Sequence, residues 1–99
     1  MKIQAIGIPW YRESDYLQLR SLFKDGDRLP LSYSDWLKAA NHTYEQLTLS
    51  GSRVEKVVIK STEFVSWCEL NTHQLDAEAR MSYASEIAAQ RIMDALPTN

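Results

Sequence analysis

A single cysteine in 99 residues excludes an internal disulfide, so nothing in the chain calls for an oxidising compartment. Three glycines and three prolines leave no material for a flexible linker or a low-complexity segment. No stretch approaches the ~20 apolar residues that a membrane-spanning helix needs. The opening MKIQAIGIPW is apolar only briefly before Gly7 and Pro9 break it, too short for a secretory signal. These absences together predict a cytoplasmic protein. Neither charge sign dominates: eleven Lys and Arg against thirteen Asp and Glu give a net charge of −2. General attraction to phosphate needs accumulated basic residues, so this balance argues against nucleic acid as a partner. A local patch of Lys2, Arg53, Lys56 and Lys60 is the one arrangement that would restore it.

What is present is an ordinary globular composition, 44% hydrophobic and 24% charged, which suits one compact domain over residues 1–99. Lys2 to Ile8 is compatible with a strand closed by Pro9. Tyr16, Leu19, Leu22 and Phe23 then recur at three- and four-residue spacings, predicting a helix from Glu13 or Ser14 that Asp25-Gly26 ends. After the loop KDGDRLP, Ser32 and Asp35 fit a capping box at the start of a second helix. Its expected buried positions are Trp36, Leu37, Ala40, Tyr44 and Leu47, and Ser50-Gly51-Ser52 stops it. Arg53 to Lys60, RVEKVVIK, is the clearest strand, with three valines and an isoleucine in eight residues. Ser61 or Thr62 is expected to cap a third helix to about Leu70. A cap at Asp76 opens a last one to about Leu96, with Met81, Ala84, Ala88, Ile92 and Ala95 as its seam. The predicted class is α+β, about four helices packed with a small two-stranded sheet. The order strand-helix-helix occurs twice, and an offset of fifty-one residues, which sets Ile6 on Val57 and Ile8 on Ile59, suggests a possible β-α-α duplication.

The stretch KSTEFVSWCELNTH, residues 60–73, places the only cysteine near one of two histidines and between Glu63 and Glu69. On a helix Cys68 lies one turn beyond Phe64 on the same face, a core position. His73, five residues on, points away from it. Structural and catalytic zinc sites take three or four protein ligands at characteristic spacings, which one cysteine and two separated histidines do not supply. No metal or other cofactor is expected, and no catalytic residue is assigned. Pairs such as Glu13 with Asp15 or Asp25 with Asp27 suit helix capping rather than a cation. PWYRESDY is the strongest interaction signal: Trp10, Tyr11 and Arg12 are of the residue types enriched at binding hot spots. These three are the candidate protein-contact residues, with Tyr16 assigned to the core.

Taken in order, IPWYRESDYLQLRSLFKDGDRLPLSYSDWL, a valine-rich strand, EFVSWC and an alanine-rich helix make the chain resemble small uncharacterised bacterial proteins of about this length. The resemblance spans most of the chain and implies a stand-alone bacterial protein without pointing to an activity. Two strands are few for a stable sheet and leave an outer edge on each. The sequence is therefore read as a non-catalytic protein-interaction or self-associating module, a homodimer or the binder of another protein, with no membrane association. The alternatives are a small enzyme or ligand-binding protein using Cys68, His42 or His73 in a pocket between helices, and a nucleic-acid-associated accessory protein.

Overall fold

The computed structural model describes residues 5–96. In chain order it comprises β1 (Ala5–Trp10), α1 (Glu13–Leu22), a single 3-10 turn (Gly26–Arg28), α2 (Tyr33–Leu49), β2 (Arg53–Val58), α3 (Ser61–Leu70) and α4 (Ala77–Ala95). The class is α+β, with four helices and a two-stranded parallel sheet. The start of the first strand expected at Lys2 lies outside the described residues. Strand-helix-helix does occur twice. Ala5 to Arg53 and Glu13 to Ser61 are each 48 positions apart, and Tyr33 to Ala77 44, so the strand and first helix repeat at 48 rather than at fifty-one and the second helix does not keep that spacing.

Pro9 does not close β1; the strand continues through it to Trp10. The register explains why. Ala5 pairs with Arg53 and Trp10 with Val58, and the Ile59 amide donates to the Trp10 carbonyl at 2.9 Å. Main-chain groups alternate in direction along a strand, so Ile6, Ile8 and Trp10 turn theirs toward β2 while Ala5, Gly7 and Pro9 turn theirs outward. The missing N–H of Pro9 therefore falls on the outer edge, where it costs no ladder bond.

The two sheet faces receive different helices. On one, α4 crosses β1 so closely that a Cβ on Gly7 would lie inside contact distance of the Ala84 carbonyl and the Ser85 amide. Glycine is required there by the approach of one backbone to another. On the other face, α2 meets the sheet through the Trp10–Trp36 edge-to-face pair, ring centroids 5.2 Å apart. It also meets it through Lys56, whose ammonium sits 4.3 Å from the Trp10 centroid and 4.4 Å from that of Tyr44. Helices α1 and α3 follow the C-terminal ends of the strands and supply Tyr16, Leu19, Phe64 and Cys68 to the core.

The caps are partly those the sequence suggests. Ser32 accepts from the Asp35 amide at 3.1 Å and Asp76 from the Ala79 amide at 3.0 Å, each satisfying an otherwise orphaned first-turn donor. Helix α3 departs from expectation: its cap position is Lys60, without a side-chain bond, and Ser61 is already helical. Ile59 is held in the core, fully buried, and the chain turns into the helix immediately afterwards. At the other end of α3 the His73 amide donates to the Cys68 carbonyl at 2.9 Å, and Thr72 takes a positive φ of 58°, the left-handed position at which helices of this ending usually carry glycine. The seam of α4 also differs: Ala84, Ala88 and Ile92 are buried with Ala79, Arg80 and Tyr83, whereas Met81 and Ala95 are exposed.

Arg80 is the one buried charged side chain among the described residues, 5% exposed. Its guanidinium donates twice to Asp25, at 2.7 and 2.9 Å, and lies 4.3 Å from the Phe23 ring centroid. The turn after α1 is thereby fixed to α4. The hydrogen bonds from Arg80 hold the Asp25 carboxyl below its ordinary pKa, against the opposing effect of burial.

Two outcomes follow from these contacts. Gly7→Ala should lower thermal stability by at least the ~1–3 kcal/mol typical of overpacking, because the obstructing atoms are backbone; calorimetry measures it. For Asp25 the folded pKa is depressed, so its contribution is present above the unfolded value of ~3.9 and is lost as pH falls through the folded value. Asp25→Asn should therefore cost ~1–3 kcal/mol near neutrality, through the uncompensated Arg80 charge. It should also make the melting temperature less sensitive to acidification below about pH 5.

Candidate functional site

PWYRESDY begins at the end of β1 and enters α1, and its residues separate. Trp10 is half-buried, with its ring between Trp36 and the Lys56 ammonium. Tyr11, expected at a contact surface, is 3% exposed and is a hub of the core. Its ring centroid lies 4.8 Å from that of Trp36, 5.7 Å from Phe23 and 6.0 Å from Tyr16. Its carbonyl accepts from the Tyr33 hydroxyl at 2.9 Å. Burial pushes its phenol up to about 12. β1 ends at Trp10, and Tyr11 turns inward between rings of α1 and α2, beside the Arg80–Asp25 pair. Arg12 is exposed and donates to Asp15 at 2.7 Å, a first-turn contact within α1. Tyr16, 1% exposed, is in the core as expected and donates its hydroxyl to the Pro30 carbonyl.

Cys68 is 2% exposed and shares the buried face of α3 with Phe64. Burial raises its thiol pKa, and the nearby Asp76 charge adds to the effect, the reverse of the electropositive setting that activates a thiolate. His73 does not approach it through its ring; the imidazole stacks on Trp67, centroids 5.1 Å apart and planes within 9°. The Trp67 indole donates to Glu86 at 2.9 Å. His42 lies exposed on α2. No group of three His, Cys, Asp or Glu among the described residues is arranged to hold a metal ion.

Two concavities stand out. A cleft of about 650 Å³ separates α1 from α3, lined by Gln18, Ser21 and Leu22 on one side and Ser61, Thr62, Val65, Ser66 and Glu69 on the other. It contains neither Cys68 nor a histidine. The second, about 450 Å³, is an apolar groove. Its floor is Ile6, Ile8 and Trp10 on the α2 side of β1, with Trp36, Ala39, Ala40, Thr43 and Leu47 of α2 as one wall and Met81 of α4 at the rim. Of the three expected contact residues it includes Trp10 alone. The small residues Ala39, Ala40 and Thr43 form a shallow wall that leaves Ile6 and Trp10 half-exposed, while Ile8 is buried beneath them. Three of its wall residues, Trp36, Ala40 and Leu47, belong to the apolar stripe expected on α2; Ala39 and Thr43 beside that stripe were not singled out by the sequence.

The outer edge of β2 is engaged at one point. Lys56 turns its carbonyl outward from β2, and Arg91 of α4 donates to it at 2.9 Å. Gly7, at the centre of the outer edge of β1, is buried under α4. A further strand added to β2, one route by which the sequence suggested self-association, would have to displace the Arg91 bond. Of the basic residues, Arg53 and Lys56 do not share a face, since they stand three apart on β2. Arg53 lies 3.7 Å from Glu55 while Lys56 is held between rings, and Lys2 lies outside the described residues. No helix of the described residues is long and apolar enough to cross a membrane.

No family model matches the chain, no curated protein is significantly similar to it, and no solved structure matches it.

Because Tyr11 and Tyr16 are both buried, Tyr11→Ala and Tyr16→Ala should each lower stability by ~3–5 kcal/mol; chemical denaturation distinguishes this from a surface role for Tyr11, which would leave the midpoint unchanged. Cys68 should react with a thiol reagent far more slowly in the native protein than in the denatured chain, as followed by mass spectrometry; equal rates would contradict its burial.

Proposed function

We propose that the protein is a non-catalytic protein-binding module that associates with a second copy of itself through the apolar groove of β1 and α2. The observation that carries this reading is the groove: the half-buried Ile6 and Trp10 on one side of β1 and the exposed Ala39 and Thr43 of α2 frame an apolar hollow over the buried Ile8. Contiguous apolar surface of this kind favours a protein contact over a small polar substrate. Three groups that could have carried chemistry are committed to structure. Arg80 holds Asp25, Lys56 fastens the sheet to α2, and Cys68 is enclosed.

A second copy is the occupant that symmetry makes economical, since a two-fold contact sets the same patch against itself. The contact is one of side chains: Ile6, Trp10 and the exposed Ala39 and Thr43 of α2 meet their counterparts. A groove of this extent falls in the small, readily reversible class of interfaces, so a dissociation constant on the order of micromolar is expected. The proposal includes the cytoplasmic location and bacterial origin expected from the sequence.

Sedimentation equilibrium tests it. The weight-average mass should rise from 11.4 kDa toward twice that value as concentration increases through the micromolar range. The double variant Ala39→Glu, Thr43→Glu places charge on exposed groove positions that a helix accommodates easily. It should remain monomeric and melt like the dilute parent protein. A constant mass of 11.4 kDa for the parent would overturn self-association, and an undiminished dimer in the double variant would overturn the groove as its site.

A further inference from the structure

We draw no further inference here: the strongest candidate, the hydroxyl-lined cleft between α1 and the first turns of α3 around Gln18, Ser21, Ser61, Thr62 and Ser66, rests on one helix N-terminus and a row of surface hydroxyls, with no second observation that points to a ligand.

Discussion

Two parallel strands cannot form a stable unit by themselves, and in this protein the contact that makes them part of a fold is the seating of α4 on Gly7. The absence of a side chain at that one position lets the helix backbone reach the strand. It brings Ala84 and Ala88 into full burial and sets Arg80 and Tyr83 at the same side of the sheet. The small residues of α4 are the complement of the glycine. An alanine-rich seam against a strand is useful only if the strand permits close approach. Arg91 from the same helix reaches the outer edge of β2.

From this contact the rest of the core is connected by rings. Trp36 lies against Trp10, Tyr11, Tyr16 and Tyr33; Phe23 joins Tyr11 to Phe64; Phe64 leads through Tyr83 to Trp67 and His73. Aromatic pairs at these separations contribute ~0.5–1.5 kcal/mol each beyond the area they bury. The sequence crosses from the first strand-helix-helix half to the second at Phe23 and Phe64. The same junction is where Arg80 and Asp25 join α4 to the turn after α1. Apolar burial and a hydrogen-bonded ion pair thus act at one place, and each shields the other: Phe23 covers the guanidinium, and the pair neutralises charges beneath Tyr11.

The expected and observed elements agree where the pattern is local. Helical spacing placed Tyr16, Leu19, Phe64 and Cys68 on buried faces, and the side chains of Ser32 and Asp76 identified two helix starts. The departures share a cause. Tyr11 was read as a surface residue because Trp, Tyr and Arg together are typical of interfaces, but its burial depends on the rings of Tyr16 and Trp36 that close around it from α1 and α2. Pro9 was read as a terminator because its tolerance within a strand depends on which edge faces a neighbour. Met81 satisfied the helical period of α4 yet stands at the groove rim, since the buried arc of that helix is centred on Gly7 and not on the most apolar residues.

The sequence by itself determined the class, the number and order of the elements, most helix boundaries and the enclosed state of the cysteine, because those depend on interactions within a few residues: capping bonds, side-chain periodicity and β-branched preference. The tertiary structure alone decided the parallel pairing, the side of the sheet that each helix covers, the pairing of Arg80 with Asp25 fifty-five positions away and the groove beside β1. Each of these arises from surfaces meeting at long separation in the chain, where the outcome is set by shape and available space rather than by the preference of any single residue.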